Sequence, residues 1–319
     1  MDVEIRYFSA TGSTRKVATE FARGLDCKVR YVNITLPENR ADMATVEVDL
    51  EVIAVPVHGE RIPGFIFDHL RRINGNGRPL VVFAVYGNMD IGISLGQFER
   101  LAQECNFRLI AAGAFVGEHS FCRFGSLRQA QGAAVSEAQS AAVSQAKGAA
   151  VSQSQGATLS QAQSADASQA QEVDYQNPVY TGNHVGMGRP DQGDLTEVYR
   201  FGQCVREKLE NGNNDCIALP KPRLPMFIAG FPERGTRFIV RRPDADLQIC
   251  RQCGACAMKC PVGAIDRNNY DVDESKCIRC MACVRNCPVS ARSSGFKLKT
   301  FDRVFGYIGR KPKPNIMIY

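Results

Sequence analysis

The sequence predicts an α/β protein, a parallel sheet with helices on both faces, followed by a small α+β domain built around cysteines. Three observations predict it. Apolar runs alternate with helix-period segments over the first 120 residues, as in βαβ units. A low-complexity repeat interrupts the chain after that series. Beyond it, eight of the 13 cysteines crowd into residues 250–287. With 319 residues and 44% hydrophobic content, one to three cores can be built.

Val3–Phe8 reads as the first strand, Thr14–Gly24 as a helix and Lys28–Asn33 as a second strand. Leu50–Val57 and Pro79–Tyr86 are near-continuous apolar runs, the pattern of strands covered on both faces. Between and after them, Gly64–Ile73 and Ser94–Cys105 carry helical spacing, and Leu109–Val116 closes the series. The repeat comes next, five copies of an octapeptide of the form AQGAAVSQ starting at Ala130, Ala138, Ala146, Ser154 and Ala162. Each copy offers at most one aliphatic side chain larger than Ala, so no core can form, and 126–175 reads as an insert in a surface loop. Asp194–Leu209 is an amphipathic helix that would pack back on the sheet. The boundaries that follow are a first domain at 1–216, a Pro- and Arg-rich linker at 217–243, a cysteine domain at 244–293 and a basic tail at 294–319.

Met1–Ile5 lacks the basic stretch of a signal peptide, and no apolar run reaches 18 residues, so the expectation is a cytoplasmic protein without a membrane span. In reducing cytosol, many cysteines point to metal or redox use rather than disulfides. Residues 221–319 hold 19 Lys/Arg against 8 Asp/Glu, which suits an acidic docking partner or simply a solvated surface that offsets cluster charge. No helix-turn-helix or comparable module is visible, and no nucleic-acid partner is expected.

Cys250, Cys253, Cys256 and Cys260-Pro261 spell C-x2-C-x2-C-x3-C-P, and Cys277, Cys280, Cys283 and Cys287-Pro288 repeat it 27 residues later. Such a run gives three thiolates to one 4Fe–4S cluster and sends the fourth to the other. Cluster one should then use Cys250, Cys253, Cys256 and Cys287, and cluster two Cys277, Cys280, Cys283 and Cys260. Structural zinc is the competing reading, but it favours paired C-x2-C ligands, often with His, and no His is near. The stretch resembles the bacterial-type two-cluster ferredoxins. Cys27, Cys105, Cys122, Cys204 and Cys216 lack metal spacing and read as buried apolar thiols.

Directly after the first strand, Ser9-Ala10-Thr11-Gly12-Ser13-Thr14 places hydroxyls, a glycine and a helix N-terminus where an anion would be held. A capped helix with an empty loop is the alternative. The loop resembles the flavodoxin pattern S/T-x-T-G-x-T. That resemblance implies strand order 2-1-3-4-5, with FMN phosphate held by Ser9, Thr11, Gly12, Ser13 and Thr14 and the ring framed by His58-Gly59 and Tyr86-Gly87-Asn88. His58 and Tyr86 are the candidates to flank the ring. His119 falls at the same sheet edge and reads as a surface histidine, with proton chemistry near neutral pH open to it.

Together the two halves resemble the flavodoxin–ferredoxin fusion family, the EFR-type ferredoxins of anaerobes, in phrases such as Tyr86-Gly87-Asn88, Ala111-Ala112-Gly113-Ala114-Phe115 and Gly188-Arg189-Pro190; the octapeptide insert departs from it. The resemblance implies an iron–sulfur flavoprotein that moves electrons between two 4Fe–4S clusters and FMN and exchanges them with a redox protein. An FMN-dependent reductase of a small substrate and a redox-sensing module are the alternatives.

Overall fold

The computed structural model describes residues 1–41, 47–121, 185–221 and 235–319, all within one compact unit. The octapeptide insert, Cys122 and residues 222–234 of the expected linker lie outside the described residues. Of the other cysteines outside the two runs, Cys105 is buried as expected, but Cys27 and Cys204 are half-buried and Cys216 is exposed.

Five parallel strands form the sheet: β1 (Asp2–Tyr7), β2 (Lys28–Asn33), β3 (Leu50–Pro56), β4 (Pro79–Tyr86) and β5 (Arg108–Val116), in the order β2-β1-β3-β4-β5. Helices α1 (Ser13–Leu25), α2 (Gly64–Leu70) and α3 (Ser94–Glu104) connect them, and α4 (Gln192–Glu210) follows β5. The alternation of side chains along a strand sorts the core into two layers. Val3, Ile5 and Phe83 pack with Phe21 of α1 and Phe201 of α4 on one face; Ile53, Val55 and Val82 pack with Ile66 of α2 and Phe98 of α3 on the other. Two glycines set the spacing of α1 and α4. A Cβ at Gly24 would lie 2.1 Å from the Tyr199 carbonyl oxygen, and one at Gly202 would lie 2.4 Å from that of Phe21.

The first strand is less apolar than β3 beside it. Glu4 and Arg6 are buried and ion-paired to one another, and Arg6 Nε donates to Glu51 Oε1 at 3.1 Å. Burial first, and then Glu4 beside it, lifts the Glu51 carboxyl to about 7 despite Arg6.

The segment expected as a basic tail folds. It forms α8 (Lys299–Ile308) and β8 (Ile316–Ile318), and β8 pairs antiparallel with the open edge of β5. Unpaired backbone at a sheet edge is a template for one more strand. Ile316 and Ile318 pack onto core residues of that edge, while Asn315 accepts from Val116 N–H at 2.8 Å and donates to Asp194 at 2.8 Å and Glu197 at 2.6 Å. Six lysines and arginines in the tail hid this short apolar run from a reading by charge.

The cysteine domain begins with α5 (Thr236–Ile239). It carries α6 (Ala255–Met258), α7 (Ala282–Arg285) and the two-residue ladder of β6 (Asp244–Ala245) with β7 (Arg292–Ser293). Its small core holds Val240, Ile265, Val272, Met281 and Val284 among the cysteines themselves.

Candidate cofactor sites

The two cysteine runs fold as near copies. Gln252 and Arg279 precede the second cysteine of their runs with φ 51° and 57°; Gly254 and Met281 follow it with φ 72° and 61°. Such left-handed residues turn successive backbone N–H groups toward one concavity, an anion-binding arrangement. The fourth cysteines match too. Ala264 N–H donates to Cys260 Sγ at 3.2 Å and Ala291 N–H to Cys287 Sγ at 3.1 Å. Bonds of this kind stabilise negative sulfur and tune a cluster's potential.

The eight cysteines surround two voids. Cys250, Cys253, Cys256 and Cys287 line one; Cys260, Cys277, Cys280 and Cys283 line the other. Each therefore draws three thiols from one run and the fourth from its copy. Thiols in that number and exchange suit iron–sulfur clusters, whose bacterial-type runs send the fourth cysteine to the other cluster. Burial pushes the Cys280 thiol up to about 12 and raises Cys283 as well, so metal binding there must displace protons.

At the carboxyl ends of the strands lies a cavity of about 400 Å³, within the range of small-molecule and cofactor sites. Thr11, Ser13 and Thr14 line one end, with His58, Gly59, Tyr86 and Gly87 along the sheet edge. Gly12 has φ 96° at the N-terminus of α1, and no side chain caps that helix from its N-cap position. Ser9 lies just outside the cavity: its Oγ accepts from Arg15 N–H at 3.0 Å, bracing the loop. The fit to a flavin phosphate is good at Thr11, Ser13 and Thr14.

Two of the expected ring contacts are otherwise engaged. Asn88 is absent from the cavity wall and clamps the C-terminal segment: its Nδ2 donates to the Gly309 carbonyl at 2.8 Å and its Oδ1 accepts from Lys313 N–H at 2.8 Å. Tyr86 is buried at the wall, but its hydroxyl donates to the Pro314 carbonyl at 2.7 Å. These bonds go to the segment between α8 and β8, and Tyr86 still lines the cavity while Asn88 does not. His58 keeps its place, its ring edge-on to Phe8 at 6.3 Å, and burial lowers its pKa to about 4.

His119, expected as a satisfied surface histidine, is satisfied but half-buried. It lines the cavity, its Nδ1 accepts from Phe121 N–H at 3.1 Å, and Phe305 of α8 stacks edge-on at 4.6 Å. Burial first, then His58 and Arg285, drops its pKa to about 3. Near neutral pH it is uncharged, with its proton on Nε2.

The roof of the cavity comes from the cysteine domain: Thr236, Ile239, Val240, Ile278, Arg279 and Phe296. Arg285 of α7 pairs with Glu118 at 3.1 Å and also donates to the His119 carbonyl at 3.1 Å, and Arg40 Nη2 donates to the Pro261 carbonyl at 2.7 Å. No sequence signal exposed these long-range pairs.

The described residues hold no helix long and apolar enough to cross a membrane. Residues 242–294 match the family model described as a 4Fe-4S dicluster domain. No curated protein matches the chain. Among solved structures it is similar to a flavodoxin from the domain Archaea, at 12% identity over 66% of this chain and 99% of that one, with TM-score 0.35. It is also similar to the flavodoxin of Streptococcus pneumonia TIGR4, at 19% identity over 37% and 84% with TM-score 0.30, and to oxidised Flavodoxin 2 from Bacillus cereus, at 18% over 34% and 80% with TM-score 0.30. The strand order β2-β1-β3-β4-β5 is that of the flavodoxin-like doubly wound sheet, and a cysteine region that matches the dicluster model follows it.

Proposed function

We propose that this protein is an electron-transfer iron–sulfur flavoprotein in which two 4Fe–4S clusters and one FMN form an internal relay. The observation that carries the reading is a shared wall: Ile278 and Arg279 line both the second cysteine void and the cavity at the sheet edge. The first void shares no lining residue with that cavity among the described residues. The order is therefore cluster one, cluster two, flavin. Bound FMN would let electrons that arrive singly leave singly or as a pair.

The chain's own residues divide the remaining work. Thr11, Ser13 and Thr14 hold the phosphate. His58 and His119 stay neutral at the cavity wall, and Phe296, Phe305 and Val240, which line it too, exclude water. Around cluster one, Cys253 is exposed and Leu247, Ile249 and Met258 stand in solvent, which suits docking of a redox partner. The surplus of Lys and Arg in this half favours an acidic one.

Anaerobic purification with iron, sulfide and FMN counted per chain tests the reading. The expected result is about eight iron, eight sulfide and one FMN. Iron and sulfide without FMN, even after FMN is added, would overturn the flavin half.

A second reading has its own support. A neighbouring cavity of about 500 Å³ shares Glu60, Tyr86, Met89 and Asp90 with the first and has Lys221 and Lys313 at its wall. It has room for a small substrate, the arrangement of an FMN-dependent reductase. Turnover of a small acceptor by the reduced holoprotein, with no second protein present, would favour that reading over a pure carrier.

A further inference from the structure

Arg279 is the residue that the cofactor assignments leave unexplained. It sits between Cys277 and Cys280, in the position that Gln252 holds in the first run. The two share a left-handed backbone but not an environment. Gln252 is exposed, whereas Arg279 is 2% exposed. A long cationic side chain in a conformation that favours Gly or Asn, sealed from water, is costly on both counts. Its Nη2 donates to Glu274 Oε1 at 2.7 Å, but Glu274 lies largely in solvent. Its Nε reaches the Val240 carbonyl only at 3.4 Å, and its buried Nη1 has no partner.

A buried guanidinium N–H without an acceptor is the exception in folded proteins and calls for one. The two spaces that Arg279 lines are those assigned to the second cluster and the flavin, and both groups carry acceptor atoms and gain negative charge on reduction. A fixed positive charge at low dielectric favours the reduced form of whatever stands beside it.

We propose that Arg279 is a positioning residue common to both sites: one guanidinium in the shared wall holds positive charge against the second cluster and the flavin and sets their potentials together. The proposal rests on the flavin reading above. It also explains why the repeat is broken at this position, since the first run faces no second cofactor and carries a neutral, solvated Gln252 instead.

The test is an anaerobic redox titration of the loaded full-length protein, with the flavin followed by absorption and the clusters by electron paramagnetic resonance. In Arg279→Gln, both the flavin and the second cluster should become harder to reduce by at least tenfold in the one-electron equilibrium, about 59 mV. The first cluster should stay put. Glu274→Gln, at an exposed position, leaves the guanidinium less neutralised and should move the same two potentials the opposite way by a smaller amount. If Arg279→Gln loads normally and neither potential moves, or only one does, the shared role is wrong. If Arg279→Gln fails to load, unchanged potentials in Glu274→Gln overturn the shared role instead. A wild-type protein that loads iron and sulfide but no FMN overturns the flavin reading itself, and this proposal falls with it.

Discussion

The two cysteine runs have one backbone and two environments. Both place a left-handed residue on each side of their second cysteine, and both give the fourth sulfur an N–H donor four residues on. Yet Cys253 is exposed while Cys277, Cys280 and Cys283 are buried. The second run meets the flavodoxin-like half through Arg279, Ile278 and Arg285; the first touches it at Pro261, through Arg40, and faces solvent through Leu247 and Ile249. A duplicated motif therefore supplies one exposed site and one internal site. The surroundings, not the ligands, separate them, as expected when hydrogen bonding and exposure set cluster potentials.

The largest effect should come from removing one thiol from each run. Cys280→Ser deletes a buried thiol and leaves Cys260, Cys277 and Cys283 facing the void. Iron should fall from about eight to about four per chain or lower, and flavin reduction by an external protein donor should stop. Cys253→Ser should lose similar iron with less damage to the fold, because its neighbours are already solvated. Iron and sulfide assays with anaerobic thermal denaturation compare them. Equal losses of stability would remove the distinction between an inner and an outer site.

Next in size is the bridge that belongs to the second run alone. Glu118→Gln leaves Arg285 facing a neutral amide at a contact where the glutamate is 6% exposed and the arginine 17%. Breaking a buried pair from one side costs about 3 kcal/mol, which should register as a lower denaturant midpoint, with the spectrum of the first cluster unchanged.

Much of this comparison was legible in the sequence and part of it was not. The paired C-x2-C-x2-C-x3-C-P runs give ligand type and exchange because a cluster demands thiolates at close spacing, and the strands of the sheet follow from apolar runs that local chemistry dictates. The turn Ser9–Thr14 is local too. What escaped was contact across long separations. Asn88 looks like a flavin-loop residue until Lys313, 225 positions on, is seen donating to it. His119 looks like a surface residue until Phe305 and Arg285 close over it. Arg279 reads as one more basic residue in a basic domain, because burial leaves no mark on a single charged letter.

Per pH unit, a smaller effect should follow acidification. His58 and His119 have folded pKa values near 4 and 3, below the usual 6.5, chiefly through burial, with Arg285 and the histidines' mutual proximity opposing charge on His119. His69, also lowered to about 4 chiefly by burial, adds to this, and Glu51, raised to about 7, opposes it down to about 4.5; the unfolded chain still binds more protons than the native one below about pH 6.5. Stability is lost as pH falls from there toward 4, by up to about 1.4 kcal/mol per pH unit for each histidine. His119→Asn should remove roughly half of that slope in apoprotein denaturation. An unchanged slope would mean that the contact of the second run with this loop has no part in the acid response.

The smallest expected effect is the sharpest test of the comparison. Gln252→Arg places the same side chain, at the matching left-handed position, on the outer run. The backbone conformation is already shared, so accommodation should be easy, and the exposed site gives the guanidinium to water. Coulomb interactions at high dielectric amount to about 1 kcal/mol even at 4 Å, and salt reduces them further. The first cluster should therefore move by less than that, the shift should shrink as salt is raised, and the second cluster and flavin should not respond. A shift as large as that of Arg279→Gln, and indifferent to salt, would mean that position within the run governs potential and that burial against the flavodoxin-like half does not. A small, salt-dependent shift would assign the asymmetry of the pair to the wall that Arg279 shares with the neighbouring cavity.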